Sequence, residues 1–365
     1  GPRLGMTWQY IRTDEEIENA TSPYLITNYE RVRDGNIRRD VITATFAGVS
    51  LDEGSVLRSL GTKTSDIFKT VFSTLPYRYV CTATPAPNEY KELIYYAEFL
   101  GIMDHGQALT RFFKRDSEHA GHLTLMPSQE EAFWMWCASW ALILTKPSDL
   151  GYPDDGYDLP ELRVHWRRLP VNHNRAWEQM DDRGQRRLLL DATGGVSQAS
   201  QEKKQTMKDR IAEMVNLVRS GEPGEQWVIW CNLNSEQDAI EAELKANGYT
   251  VSSIYGALDI EETEKRLYQW KRKETDVLLS KAVMLGSGLN LQQSHRVIFV
   301  GIDYKFQDFI QAVHRVHRFM QEYPVDLHII FAESEDGIVD VLKRKWQQHD
   351  TLMARMQKII RQYGL

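Results

Sequence analysis

Small groups of residues in this chain have types and spacings that could do chemistry. Asp52 and Glu53 adjoin one another directly after the stretch Phe46-Ala-Gly-Val-Ser-Leu51. Two adjacent acids at a strand end can divide labour. One helps hold Mg²⁺, usually through water; the other accepts a proton from, or orients, an attacking water. Taken alone, such a pair is also a common turn. Thr82 and Thr84 follow Tyr77-Arg-Tyr-Val-Cys81 in the same way. Hydroxyl side chains there can sense a neighbouring site by hydrogen bonding, or the segment simply turns at Pro85 and Pro87. Gly286-Ser-Gly288-Leu-Asn290 lies a few residues beyond Ser280-Lys281, and its glycines let backbone approach a phosphate or sugar closely. Gln311-Ala-Val-His-Arg315-Val-His-Arg318 reads as helix, on which arginines three apart share a face. Two guanidinium groups aimed at one spot suit a triphosphate whose charge moves during cleavage. The alternative is an exposed basic helical turn. Gly286, Gly288, Asn290 and Gln311 are the candidate nucleotide contacts.

The elements that must position these groups form two alternating segments. In the first, strands are expected at Tyr24–Asn28, Phe46–Leu51 and Tyr77–Cys81, with a helix over Asp66–Thr74. In the last, strands are expected at Gln226–Leu233, Tyr249–Tyr255, Asp276–Ser280, Arg296–Val300 and Val325–Phe331. Asp259 reads as the N-cap of a helix to Lys273, with Glu262 placed as in a capping box. A helix runs from Ser334 to the end, broken near His349-Asp350. Buried strands alternating with helices imply parallel sheets, whose chemistry sits at the carboxyl ends of strands. The middle reads as helices, Asn88–Leu100, Gln107–Lys114, Ser128–Leu144 and Gln201–Arg219, with a Pro-, Gly- and Asp-rich loop from Pro147 to Tyr157. It also holds an arginine-rich stretch, Arg163 to Arg187, with Trp166 and Trp177 interleaved against Glu178, Asp181 and Asp182. That stretch reads as a solvated helical face or as contacts to a nucleic-acid backbone. The fold expected is α/β: two parallel-sheet lobes, the first incomplete, with a helical region between them. The divisions expected are 1–105, 106–220 and 221–365.

Composition narrows the partners. The chain has 365 residues, 42% hydrophobic and 26% charged, which excludes a disordered or collagen-like chain. Lys plus Arg is 44 against 51 Asp plus Glu, a formal charge of −7, so a bulk polycationic coat on nucleic acid is excluded while a local basic groove is not. The 3 cysteines, Cys81, Cys137 and Cys231, are far apart and form neither a disulfide framework nor a paired zinc site. They suit a reducing, cytoplasmic setting. The apolar run Ala132–Leu144 is shorter than the ~20 residues a spanning helix needs, and Phe133, Trp136 and Trp140 fall on one helical face as core. His119 with His122, and His314 with His317, are spaced for metal but lack a third ligand.

Order and spacing together resemble the Swi/Snf-type branch of superfamily-two helicases and translocases. Asp52-Glu-Gly-Ser55 is similar to the DEAD/DEAH box, with Gly and Ser in its last two places. Thr82-Ala-Thr84 resembles the coupling motif that follows it, and Asn28-Tyr29-Glu30 a segment upstream. Ser280-Lys281 through Asn290-Leu291 resembles the second-lobe motif Gly-x-Gly-x-Asn-Leu. Gln311 to Arg318 resembles the last motif, Gln-Ala-x-x-Arg-x-x-Arg. Pro147-Ser-Asp-Leu-Gly151 and Leu159-Pro160 resemble phage and prophage-type members. The resemblance implies two RecA-like lobes with ATP and Mg²⁺ held between them. Asp52 and Glu53 would act from the first (Asp52 on Mg²⁺ through water), and Arg315 and Arg318 would act as fingers from the second. It implies movement on DNA, mostly double-stranded and without regard to sequence, with phage or host protein partners unspecified. The family's phosphate loop, Gly-x-x-x-x-Gly-Lys-[Ser/Thr], is not found before Asp52, and Gly61-Thr-Lys63-Thr64 does not satisfy it. A chain without that loop is expected to hydrolyse ATP poorly on its own. The alternatives are a catalytically silent DNA- or partner-binding fragment and a subunit completed by another chain's loop. RNA is the alternative track. DNA binding measured between 50 and 200 mM salt is expected to fall by about 10³ or more if several phosphates are contacted, and to be nearly flat if none is.

Overall fold

The structure is a computed structural model that describes residues 5–58, 62–86, 89–115, 123–142, 144–170, 206–285 and 289–363. It divides into two compact units, residues 1–143 with 351–365, and residues 144–350.

In the first unit, β1 (Trp8–Tyr10) pairs in parallel with β2 (Tyr24–Ile26), and α1 (Asp14–Glu18) connects them. Then come α2 (Tyr29–Arg33), α3 (Arg39–Thr45), β3 (Gly48–Asp52), α4 (Lys63–Phe72) and β4 (Tyr77–Cys81). β3 and β4 are parallel and in register from Gly48 opposite Tyr77 to Asp52 opposite Cys81. The crossover through α4 starts at Thr62, whose hydroxyl accepts from the Ser65 amide at 3.3 Å. It buries Phe68, Val71 and Phe72 at helical spacing. α5 (Glu92–Leu100) ends on Gly101 at φ +77°, and α6 (His105–Phe112) begins on Asp104, whose carboxylate takes the Gly106 and Gln107 amides. The expected helix over 107–114 stops early. Phe113 opens β5 (Phe113–Arg115), which pairs antiparallel with β6 (Leu123–Leu125). α7 (Glu130–Ala138) is likewise shorter than expected, but its Phe133 and Trp136 pack on Phe112, and Trp140 packs on Trp136 from beyond the helix end.

The second unit carries, in chain order, β7 (Leu162–Leu169), α8 (Met207–Arg219), β8 (Trp227–Cys231), α9 (Asn234–Ala246), β9 (Val251–Ile254), α10 (Ile260–Lys271), β10 (Val277–Lys281), α11 (Ala282–Leu285), β11 (Arg296–Val300), α12 (Phe306–Val316) and β12 (Val325–Ala332). α13 (Asp336–Tyr363) follows and runs on into residues of the first unit. Six strands form one parallel sheet in the order β7-β12-β11-β8-β10-β9. Every residue of β8 is buried, as a central strand covered on both faces requires. Alternate residues serve opposite cores. Val228, Trp230, Leu278, Val297 and Phe299 meet α10 and α12 on one side; Ile229, Leu279, Ile298 and Val300 meet α8 and α9 on the other.

These units differ from the division expected at 105 and 220, because β7 and α8 belong to the second sheet and its cover. The arginine-rich stretch is corrected most. Its described part is an edge strand with period two, in which Leu162, Val164 and Trp166 face the core. Its arginines are engaged in ion pairs: Arg163 with Glu161, Arg167 with Glu213, and Arg168 with Glu333 and Asp336. Arg175 to Arg187 lie outside the described residues. The break expected at His349-Asp350 is absent, since His349 is buried and Leu352 and Met356 continue the apolar stripe of α13. At Asp259 half of the capping box forms. Its carboxylate caps the Glu262 amide at 2.8 Å, while Glu262 itself turns to Lys265 and Arg266. Among the described residues no helix is long and apolar enough to cross a membrane.

His328 on β12 is 7% exposed and stacks on His165 at 4.6 Å, with Asp326, Arg296 and Arg167 around the pair. Burial pushes the His328 imidazole down to about 4, and positive neighbours add to the shift. The unfolded chain therefore takes up a proton near pH 6.5 that the folded chain refuses. Stability is full above pH 6.5 and is lost as pH falls toward 4, by an amount on the order of 2 kcal/mol. Urea titrations across that range should show the loss, and His328→Leu should reduce it, leaving the share carried by His314 and His349, whose imidazoles burial also lowers.

Candidate functional site

The acid pair and the hydroxyl pair come together. Asp52 and Cys81 are register partners, so Asp52-Glu53 and Thr82–Thr84 leave adjacent parallel strands at the same carboxyl edge. Asp52 is exposed, and its Oδ1 accepts from the Glu53 amide at 3.1 Å. Glu53 sits at φ 51°, ψ 51°, the left-handed region that non-glycine residues rarely adopt. That turn throws the chain into a single 3₁₀ turn, Gly54–Leu57. Gly54 is required there, because a Val80 methyl from the neighbouring strand occupies the place a Cβ would take. Thr82 Oγ1 accepts the Thr84 amide at 3.2 Å, while Thr84 is buried and its own hydroxyl has no hydrogen-bond partner among the described residues. Cys81 is exposed at this edge, whereas Cys137 and Cys231 are buried, and burial raises both of their thiols.

Sequence reasoning missed what holds the acid turn. Tyr29, at the start of α2, donates its hydroxyl to the Asp52 carbonyl and stands edge-on to Phe68 at 5.2 Å. Burial, reinforced by the charges of Asp52 and Glu53, raises the phenol far above its ordinary range, so it stays a donor. The signal was Asn28-Tyr29-Glu30, which spacing alone did not connect to Asp52.

The second constellation lies wholly in the second unit. α12 ends at Val316, so Arg315 is on its last turn and Arg318 is beyond it, where its amide bonds the Val316 carbonyl at 3.1 Å. The expectation of one helical face is corrected. Yet the arginines do converge. Nη1 of Arg315 and Nη1 of Arg318 donate to the same carbonyl, that of Leu289, at 3.4 and 3.3 Å. The Leu291 amide returns to the Arg315 carbonyl at 2.8 Å. Residues 289–291 and the arginine turn are thus joined. Asn290 between these bonds is exposed, and Gln311 is 9% exposed on the buried side of α12. Gly286 and Gly288 lie outside the described residues. Gln321, unremarked in the sequence, donates from a buried amide to the Gln292 and Ser294 carbonyls, both at 3.0 Å.

An open pocket lies at the carboxyl ends of β8, β10 and β11, lined among others by Asn232, Lys281, Asp303, Lys305 and Asp308. Burial raises the Asp308 carboxyl. Its place was legible only as a set of strand ends. His317 Nε2 is bound to the Pro160 carbonyl at 2.7 Å, and His119 and His122 lie outside the described residues. Among the described residues, Glu98, Asp104 and His105 could bring three ligand atoms together, but the Glu98 carboxylate is already shared by Lys69 and His105.

Comparison with known proteins finds likeness in the second unit. Residues 208–320, from α8 through the arginine turn, match the family described as the helicase conserved C-terminal domain. The matched residues include β8–β11 of the six-stranded parallel sheet and helices that cover both of its faces. The chain is 27% identical over 138 residues to the ATP-dependent RNA helicase DBP3 of Saccharomyces cerevisiae, which covers 36% of this chain and 26% of that protein. It is 28% identical over 104 residues to the chromodomain-helicase-DNA-binding protein 1-like of Danio rerio, covering 28% of this chain and 10% of that protein. Among solved structures, the C-terminal part of the Fun30 ATPase domain shares 17% identity at a TM-score of 0.35, over 41% of this chain and 54% of that one. The chain therefore spans 26% and 10% of the length of these two curated relatives.

Gly54→Val is expected to push Val80 off β3, costing about 1–3 kcal/mol in the first unit, as read by chemical denaturation.

Proposed function

We propose that the protein is an ATP-dependent translocase of Swi/Snf type that moves on double-stranded DNA without reading its sequence. The observation that carries the reading is the meeting of Arg315 and Arg318 on the Leu289 carbonyl, which sets two permanent cations at the residue before Asn290. Such a pair suits the charge that spreads over a γ-phosphate as it leaves, and arginines in that role are worth about 10³–10⁵ in rate. Gly286, Gly288, Asn290 and Gln311 would line the nucleotide.

Asp52 and Glu53 are read as the metal and water groups. An exposed carboxylate at a strand's carboxyl edge, with a second carboxylate half-buried beside it, is the hard-oxygen donor set that Mg²⁺ takes through water. Bound there, Mg²⁺ would neutralise phosphate charge. Glu53 would orient the attacking water and take its proton; Asp52 would help hold the metal through water; Thr82 and Thr84, at the same edge, would report the state of the acids by hydrogen bonds. Relatives named as a chromodomain-helicase-DNA-binding protein and as a SWI/SNF-related chromatin regulator support DNA as the track. RNA is the second reading, favoured by the relatives named as RNA helicases. A silent nucleic-acid-binding module is the third.

The experiment is nucleic-acid-stimulated ATP hydrolysis, with duplex DNA and RNA compared. Duplex DNA is expected to stimulate more, and Arg318→Ala and Asp52→Asn each to lower the stimulated rate by about 10³. Stimulation by RNA alone would move the track to RNA. Nucleic-acid binding that is indifferent to ATP, together with rates unaltered by both substitutions, would leave the binding module.

A further inference from the structure

The loop from Lys146 to Pro160 plays no part in the family motifs that carry chemistry, and it lies in the same compact unit as the arginine turn. It is ordered by contacts of its own. Lys146 Nζ meets Asp154 at 2.6 Å, and the Ser148 amide bonds the same carboxylate at 2.7 Å. From that base the loop reaches the chain around Arg318 at separate points. The Pro160 carbonyl takes His317 Nε2 at 2.7 Å. The Gly156 carbonyl takes the Met320 amide at 3.2 Å. The Tyr157 ring lies over the Phe319 ring, centroids 4.4 Å apart and planes 31° apart. Residues 317, 319 and 320 are therefore all engaged by the loop, while the guanidinium of the residue between them, Arg318, points the other way to the Leu289 carbonyl.

Two backbone features mark the join as a fitted one. Gly156 has φ +77°, and a Cβ there would lie 2.8 Å from the Phe319 ring. Met320 has φ 67°, a conformation that a non-glycine side chain keeps only where its surroundings hold it. Arg318 itself lies past the last helical residue of α12 and so lacks the helix to fix it. The buried Gln321 amide anchors the far side of the turn. Tyr157 and Phe319 are 40% and 39% exposed, so the stack contributes little to either core.

We propose that residues 154–160 form a positioning clasp for Arg318, with Gly156, Tyr157 and the Pro160 carbonyl acting through His317, Phe319 and Met320 to hold that guanidinium in its nucleotide-facing geometry. The proposal rests on the reading above that Arg318 acts on a nucleotide. The clasp residues touch no substrate. They set where the charge sits, and a displacement of about 1 Å at such a group can cost on the order of 10² in rate.

The test uses Tyr157→Ala, with Tyr157→Phe as the conservative replacement and Gly156→Val as a second disruption. One readout, amide hydrogen exchange over residues 317–321, needs no nucleotide. The other is the affinity for a fluorescent ATP analogue with Mg²⁺, measured alone and in a double-mutant cycle with Arg318→Ala. Tyr157→Ala and Gly156→Val are expected to speed exchange in that segment by about 10-fold or more, with Tyr157→Phe near wild type. Tyr157→Ala is expected to weaken the analogue about as much as Arg318→Ala does, and to add nothing once Arg318 is gone. Unchanged exchange in both disrupting variants overturns the clasp. So does an equal further loss of affinity on the Arg318→Ala background, which would mark a general structural effect. Faster exchange combined with analogue binding that ignores Arg318→Ala would overturn the functional half, and would place the fault in the nucleotide reading rather than in the contacts.

Discussion

A single backbone carbonyl, that of Leu289, joins the two arginines at the end of α12. It accepts from Arg315 and from Arg318, and so brings to one spot two cations that the end of α12 would otherwise send apart. Guanidinium groups repel, and each needs its donors satisfied when partly buried. A shared acceptor takes one donor from each. The reciprocal bond from the Leu291 amide to the Arg315 carbonyl ties the same two segments through their backbones. Loss of either strand end beneath them, at β10 or β11, would release both segments together.

The sheet explains why this carbonyl is where it is. β8 is buried on both faces, so its neighbours must cover it from either side, and the chain leaves β8, β10 and β11 along one edge. Parallel pairing then gathers loops from distant parts of the sequence, since each crossover returns the chain to the same starting side. In the first unit the pair β3–β4 obeys the same rule, and its register sets Asp52 beside Cys81 and hence the acids beside the threonines. The arginines of β7, which the sequence left as a solvated helical face or as nucleic-acid contacts, are taken up by Glu161, Glu213, Glu333 and Asp336.

What the sequence made legible were the elements with one dominant signal. β4 and β11 fall on their expected residues, because short apolar or β-branched runs bounded by polar turns have few other homes. The motif residues Asp52, Glu53, Thr82 and Thr84 were placed correctly at strand ends. β7 was misread because abundant arginine hid a period-two pattern of Leu162, Val164 and Trp166. Arg318 was assigned to a helix because three-residue spacing does not reveal where a helix stops. The seam at His349-Asp350 was expected to break α13, yet the buried side of that histidine continues the stripe. Neither Tyr29 on the Asp52 carbonyl nor Tyr157 on Phe319 could be read in advance. Each joins residues far apart in the chain through one directional contact, which leaves no periodic trace.

The thiols carry a practical consequence. Cys81 is exposed directly opposite Asp52 in the β3–β4 register, while the other two cysteines are sealed in the cores with thiols that resist ionisation. A maleimide dye or spin label added to the native protein would attach at that one position without any engineered cysteine. The acid edge thus comes with its own attachment point for an optical or magnetic reporter.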